Sequence, residues 1–483
     1  MTLQPIWCST TQRVNAIPTA RLLLSTEGNA LETLSRCDAE IALCKPGNPI
    51  SIMIDRQGQW DLLFKGIIVE QRLSLLKTSA QLELVIKHPL ARLASTCRSQ
   101  VFSNQSAQAI ISGLLAEQQL SCTNQADMKT VQEQLIQFRC SDWLYVRRLV
   151  DESGAWLLPE FEDVKIVTPT LAGTPDHTLK STEVNRETGT EGQSSIFEAS
   201  WRFSDRYQPE KLSLTAWDIA KQELIVAMAT AQALGQDALN PARQKPLTKA
   251  PWVIGSSASI SQEKLEALAQ STLQHLHDTS VLGEFQVRGS VSYKLGQTLA
   301  LAQFGQGFDG AGIITAVSHS VDKTSWKTVI ALGMKDGSGE LTPLATPSGL
   351  QVGVVAEFKT DPNDLNRLRV SLPVLGDDNN TVWVRLAMPY ASSDGGFYFY
   401  PNPGDEVVVG FFDHDPCFPV LLGSMYNPQN PPLVNVSKEN KVKGMAFNDM
   451  DLLFQFDTQS TSAALCAKAS VEVKADEIKL VTK

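Results

Sequence analysis

The residues of this chain best suited to chemistry are acids and histidines in three settings. Asp413-His414-Asp415 has the donor types of a metal site, Asp151-Glu152 and Asp405-Glu406 offer paired carboxylates, and His275 and His277 stand two apart. A glycosidase needs two carboxylates flanking a sugar, and a hydrolase needs a nucleophile with a base and an oxyanion hole. Adjacent acids in helices, turns and strands are ordinary solvated charges instead. Asp413-His414-Asp415 runs into Pro416 between two strand patterns and reads as a turn. Histidines two apart on a helix point to different sides and make no metal pair. The strings Gly-x-Ser-x-Gly and His-Glu-x-x-His and the phosphate-binding loop do not occur. The expectation is a chain with no catalytic residue, no metal and no cofactor.

The elements that carry these residues are mostly strands. Between Val352 and Met425 five short alternating segments follow one another: Val354, Ala356 and Phe358; Leu368, Val370 and Leu372; Val382, Val384 and Leu386; Val407, Val409 and Phe411; and Val420 with Leu422. Turn formers separate them, as in Pro401-Asn402-Pro403-Gly404-Asp405. Five such strands suit a small closed barrel of the oligonucleotide/oligosaccharide-binding (OB) type, in which closure removes open edges. Nucleic acid does not follow from that fold. From Val352 to Leu433 there are four basic residues against ten acidic ones, whereas phosphate binding needs the reverse. The run Phe397-Tyr398-Phe399-Tyr400 lies between Asp394 and Asp405 and reads as packing against a neighbour.

After Pro428, Pro431 and Pro432 the alternation continues through Leu452, Phe454 and Phe456. It then occupies every second position at Ala463, Leu465, Ala467, Ala469, Val471, Val473 and Ala475. Ile478 and Leu480 resume it after a shift at Asp476-Glu477. A strand with one apolar face and nothing in its own chain to cover it calls for copies of itself. The expected prism core is Leu465, Ala467, Ala469, Val471, Val473, Ile478 and Leu480.

At 483 residues and net charge −10 the chain holds several domains and disfavours nucleic acid and anionic bilayers. No stretch reaches the about 18 apolar residues of a spanning helix, and no signal peptide opens it. Eight scattered cysteines without a Cys-x-x-Cys pair read as reduced, structural thiols. Residues 1–95 read as strands (20–25, 51–54, 60–69 and 82–87), and helices are expected at 106–115, from the Ser141-Asp142 cap to Gly154, and at 262–276. Residues 171–195, poor in large apolar residues, read as a mobile loop. Gly66-Ile67-Ile68 before Leu82–Ile86 and Gly312-Ile313-Ile314 before Trp326–Ile330 form a faint internal repeat.

Two strings carry a resemblance. One runs Pro401-x-Pro403-Gly404-Asp405-Glu406-Val407-x-Val409-x-Phe411, then Asp415-Pro416-x-x-Pro419-Val420-x-x-Gly423-x-x-Tyr426-Asn427-x-x-Asn430-Pro431-Pro432. The other runs Gln137-Phe138 through Ser141-Asp142-Trp143-Leu144-x-x-Arg147-Arg148-Leu149 to Glu152 and Gly154. The chain resembles the VgrG proteins and phage baseplate hub-spike proteins of contractile injection machines. In build it is most similar to the spikes of extracellular phage-tail-like particles. Pro403, Gly404, Asp405, Pro416, Pro419, Gly423, Asn427, Trp143, Arg147 and Gly154 are the matching structural positions.

The resemblance implies a mainly β chain with helical insertions. Its parts would be a first hub barrel (1–95), an α+β insertion domain (96–200), a second hub barrel (201–345), an OB-type barrel (346–433) and an intertwined trimeric β-prism (434–483). It implies a homotrimer that adapts a sixfold inner tube to a threefold needle. The implied partners are a tube or tube-initiator protein, baseplate proteins and a PAAR-like tip protein seated on Ile478, Lys479, Leu480, Val481 and Thr482. The target membrane would be met only by mechanical puncture. The protein would be made in the cytoplasm and assembled into a released particle. Relatives carry lytic or toxic domains near the barrel or after the prism, for which this chain has no room. A carbohydrate-binding module stacking sugars on Phe397–Tyr400, or a cryptic envelope hydrolase, is the alternative.

Overall fold

The computed structural model describes residues 3–26, 30–56, 58–76, 79–171, 173–183, 196–205, 208–232, 234–235, 238–239, 250–305, 307–334, 344–376, 379–447 and 450–481. The N-terminal part contains strands β1 (Gln4–Arg13), β2 (Thr19–Ser25), β3 (Pro49–Arg56), β4 (Gln59–Leu75) and β5 (Ala80–Lys87), with helix α1 (Ala30–Leu43) between β2 and β3. In β5 the apolar residues Ala80, Leu82, Leu84 and Ile86 point into the core while Gln81 and Glu83 point away. α1 departs from the all-strand expectation for residues 1–95, and β1 precedes the first strand expected there, at residue 20. β1 is rich in Ser, Thr and Gln and has no clear alternation. It is held instead by ladders on both of its edges.

An insertion follows: α2 (Ala91–Ser95), β6 (Cys97–Ser106), α3 (Ala107–Glu117), β7 (Ser121–Asn124), β8 (Val131–Ser141), α4 (Asp142–Glu152), β9 (Trp156–Pro159) and β10 (Asp163–Val167). Ser106 and Ser141 cap α3 and α4 by accepting the Ala109 and Leu144 amides. Gly154, at φ +66°, ends the α4 segment. Part of the expected mobile loop 171–195 is ordered: β11 (His177–Lys180) and a 3₁₀ turn (Ser181–Glu183) lie within it. Its polar composition hides a strand whose one large apolar residue, Leu179, is fully buried. Residues 172 and 184–195 of that expectation lie outside the described residues.

Next come β12 (Ile196–Phe203), β13 (Lys211–Asp218), β14 (Glu223–Thr230), β15 (Trp252–Gly255), α5 (Gln262–Asp278), β16 (Val281–Arg288), β17 (Thr298–Ala302), β18 (Gly310–Asp322) and β19 (Trp326–Leu332). One sheet runs β12-β16-β19-β18-β1-β2-β5-β4-β3, with β17 on β18 and β11 on β17. The faint Gly-Ile-Ile repeat expands here into a duplicated architecture. Lys45-Pro46-Gly47-Asn48-Pro49-Ile50-Ser51-Ile52 corresponds to Lys294-Leu295-Gly296-Gln297-Thr298-Leu299-Ala300-Leu301. Gly47 (φ +98°) donates to Ile68 O and Ile68 N donates to Asn48 O; Gly296 (φ +81°) donates to Ile314 O and Ile314 N donates to Gln297 O. The bulge between Ile68 and Glu70 recurs between Ile314 and Ala316. The bulge between Pro5 and Trp7 recurs between Ile196 and Glu198. Two bulges and two turn hydrogen bonds at matching positions make β1-β2-β3-β4-β5 the counterpart of β12-β16-β17-β18-β19.

Strands β20 (Gln351–Val355), β21 (Leu368–Ser371), β22 (Thr381–Leu386), β23 (Glu406–Phe411) and β24 (Pro419–Ser424) close a barrel in the order β20-β21-β22-β24-β23. Two inward faces differ from expectation by one residue. Gly353 and Val355 face the core of β20, not Val354, Ala356 and Phe358, and Leu421 rather than Val420 and Leu422 faces it on β24. A Cβ at Gly353 would sit 2.5 Å from Val370, so the core position is a glycine that hides the alternation. In β24 the continuous run Pro419-Val420-Leu421-Leu422 gives no phase. The chain continues in an antiparallel sheet, β25 (Val442–Phe447), β26 (Leu452–Asp457) and β27 (Ser462–Ala467).

Candidate functional site: the barrel junction and the C-terminal sheet

The barrel is fastened to the insertion by groups that lie far apart in sequence. Arg367 donates to Glu133 at 2.7 and 2.8 Å and to Asp361 at 2.7 and 3.0 Å, and its guanidinium lies 5.5 Å from the Trp383 ring centre. The Arg367 hydrogen bonds hold the Asp361 carboxyl well below the usual carboxylate range. Gln134 accepts the Trp383 amide and donates to Cys417 O. Asn379 donates to Val101 O. Beneath these bonds Val101, Ile136 and Phe138 of the insertion share one core with Val370, Val384 and Val409 of the barrel. The arrangement can carry load: a charged clamp over an apolar seam resists both shear and separation.

The candidate metal cluster has other work. Asp413 (φ +52°) accepts from Ser256 Oγ at 2.6 Å and Ser257 N at 2.8 Å. Asp415 accepts the Cys417 amide. The segment is a strained turn that latches the barrel to the loop before α5. His275 faces Asp151 at 3.3 Å while His277 bonds Pro209 O, so the two histidines diverge. Arg147 pairs with Asp151 at 2.9 Å on α4 and Trp143 packs on the insertion core. Burial pushes the Cys8, Cys122 and Cys140 thiols up to about 11, which leaves them protonated and unreactive at neutral pH.

The motif residues of the barrel are turn-makers. Gly404 (φ +96°) donates to Val355 O and Asp405 accepts the Asn402 amide. Asn427 donates to Glu406 and accepts from Gln429 and Asn430. Pro416 lies in the Asp413–Pro419 turn, Pro419 starts β24, and Gly423 sits beside the bulge of β23 against β24.

In the C-terminal sheet Met445, Phe454 and Leu465 stand in register, as do Phe447, Leu452 and Ala467. Leu465 is 61% exposed, and Met445, Phe447, Phe454 and Phe456 are exposed with it. Phe399 of the aromatic run stacks on Phe447 at 5.8 Å and joins barrel to sheet. Of the expected prism core, Leu465 and Ala467 lie on β27. Ala469, Val471, Val473, Ile478 and Leu480 follow it with no strand in the single chain, all exposed. Lys479 pairs with Glu477, Val481 is exposed, and Thr482 lies outside the described residues. The Phe447, Phe454 and Phe456 rows and the Glu133–Arg367–Asp361 clamp were absent from the expected site.

Residues 3–323 match the sequence profile of the Alg8 N-terminal domain. The chain belongs to that family. Residues 351–426 match the type VI secretion system/phage-baseplate injector OB domain, which makes the chain a relative of the VgrG and baseplate hub-spike proteins. The chain is 30% identical over 97 residues to the type VI secretion system spike protein VgrG2a of Pseudomonas aeruginosa, covering 18% of this chain and 11% of the relative. It is 37% identical over 57 residues to the actin cross-linking toxin VgrG1 of Vibrio cholerae, covering 12% and 5%. The chain thus spans a small part of these curated relatives. A component of the E. coli type VI secretion system, described as similar to T4 tail proteins gp27 and gp5, superposes with TM-score 0.55 at 14% identity, covering 88% of this chain and 97% of that one. A chain of the Francisella PdpA–VgrG complex gives TM-score 0.59 at 10% identity, covering 96% of this chain and 80% of that one. These superpositions establish a shared fold.

Proposed function

We propose that this chain is the structural hub-spike of a phage-like contractile injection apparatus, working without catalysis as a homotrimer. The observation that carries this reading is the apolar face of the C-terminal sheet, uncovered in one chain and continuous with a barrel clamped to a duplicated hub. Two further copies would cover that face, and the exposed alternation from Ala469 to Leu480 would then wind into a common prism. Burying each branched side chain contributes about 1.5–3 kcal/mol, repeated in every copy.

The hub supports the same reading. Inside one chain, β1 pairs with β18 and places Thr10 opposite His319. The counterparts β12 and β4 lack such a partner along Glu198–Phe203 and Gln71–Leu75 among the described strands. Between neighbouring copies they would repeat the junction with Trp201 opposite Leu73, giving six similar units in a ring of three chains. The apparatus's tube protein would then meet six similar surfaces, and a PAAR-like tip protein would cap Ile478–Val481. Baseplate contacts and release as a free particle belong to the same proposal. In the aromatic run, the strongest argument for a carbohydrate module, Phe399 is stacked on Phe447.

Sedimentation of the full chain tests the proposal. The expected species is a trimer, converted to a folded monomer by Val471→Asp with Val473→Asp and weakened by Leu73→Asp with Leu75→Asp. A monomeric parent protein, or a trimer indifferent to both pairs of substitutions, sinks it.

A further inference from the structure

The duplicated hub holds one edge that is closed in one unit and open in the other. In the second unit β17 is covered by β11, which runs parallel to it with Leu179 opposite Leu301. Asp176 begins this ladder by donating its amide to Thr298 O and accepting the Thr298 amide. Leu299 and Leu301 are consequently 0% and 3% exposed. Their counterparts on β3, Ile50 and Ile52, are only half buried. Among the described strands nothing pairs with β3 on the side away from β4.

Natural edge strands avoid unwanted pairing through a central charge, a central proline or a bulge turned outward. Ile50-Ser51-Ile52-Met53-Ile54 has neither a charge nor a proline, and Met53 is 51% exposed; the irregularity of the β3–β4 ladder falls after Ile52, and the charges Asp55 and Arg56 come only at the end of the strand. An unpaired, largely apolar edge whose counterpart in the second unit already carries a strand is a vacant ladder position.

We propose that β3 receives, in parallel, an extended segment of a different protein, seated as β11 is seated on β17. Its chemistry follows from β11: one branched aliphatic side chain turned inward between hydrophilic neighbours, with main-chain hydrogen bonds supplying the affinity. Pro49 has no N–H, so its carbonyl can accept as Thr298 O does, but the first N–H facing the open edge is that of Ser51. The β11 of a second copy is not the occupant, because it is committed to its own β17. The inference does not depend on the copy number of the hub.

The test uses the full chain and a peptide of residues 174–183 as a surrogate strand, read by amide hydrogen exchange. Exchange across 49–56 should slow by about tenfold or more at saturating peptide, and the same peptide carrying Leu179→Asp should give no protection. Unchanged exchange at millimolar peptide overturns the proposal, as does equal protection by both peptides. Protection of 49–56 that grows with protein concentration alone also overturns it, by giving the edge to a second copy. Sedimentation of the same samples reads the trimer separately.

Discussion

The two hub units share their turns, bulges and strand order but differ in what interrupts them. In the first, β1 turns into β2 within the short link from Val14 to Pro18, and α1 separates β2 from β3. In the second, β13, β14, β15 and α5 separate β12 from β16, while a short link joins β16 to β17. The barrel latch at Ser256–Ala258 and α5, which meets α4 through His275 and Asp151, both belong to that larger insertion. Duplication therefore supplies a repeated scaffold, the segment between the two units holds the barrel through Glu133 and Gln134, and the insertion in only one unit adds the Asp413 latch. The shared architecture repeats a surface; the larger insertion breaks the repeat beside the barrel.

The sharpest way to break this comparison is to truncate equivalent core residues. Leu84 and Ile330 are both fully buried at matching registers against Leu22 and Phe285. Leu84→Ala and Ile330→Ala should each cost about 2–5 kcal/mol in denaturant unfolding. Because β1 and β18 join the units in one sheet, both should shift a single hub transition. Two separate transitions would show that the units fold independently.

A smaller effect comes from pH. His88 closes the first unit and His319 lies at the junction between units; burial lowers both to about 4. The unfolded chain binds protons near pH 6.5, above the folded values, so stability falls as pH drops from about 6.5 to about 4 and then levels off. Each histidine contributes up to about 3 kcal/mol to that loss. His88→Gln and His319→Gln should each flatten the slope, measured as unfolding midpoint against pH.

The smallest effect separates the matched glycines. A Cβ at Gly66 would stand 2.5 Å from Lys87 O, whereas one at Gly312 would stand 2.9 Å from the Leu332 side chain. A carbonyl in a ladder cannot retreat and a leucine can. Gly66→Ala should cost about 3 kcal/mol and Gly312→Ala about 1, read from paired melts.

The legible parts of the fold were those with local rules. The Ser141 cap, the Gly154 stop and the Gly404 turn are decided by neighbours in sequence, and three of the five barrel strands kept their inward face. β1 was illegible because its stability comes from partners on two sides. β20 lost its phase to Gly353, and β11 carried too little apolar content to announce itself. The duplication was visible at Gly-Ile-Ile, but Lys-x-Gly-Asn and Lys-x-Gly-Gln share meaning only through their backbone bonds. The junction was the least legible feature: nothing local marks Glu133 as the partner of Arg367.

The C-terminal sheet sets an order for biogenesis. The hub and barrel bury their own cores and can fold as soon as they leave the ribosome, at a rate independent of abundance. In the proposed trimer the sheet of Met445, Phe454 and Leu465 finishes only on meeting other chains, so its completion would slow as the protein becomes dilute. During that wait an open, edge-bearing apolar surface is available to every other nascent chain. Production in bursts, with several chains emerging together from one message, would shorten the hazardous interval more than any gain in the stability of the finished needle.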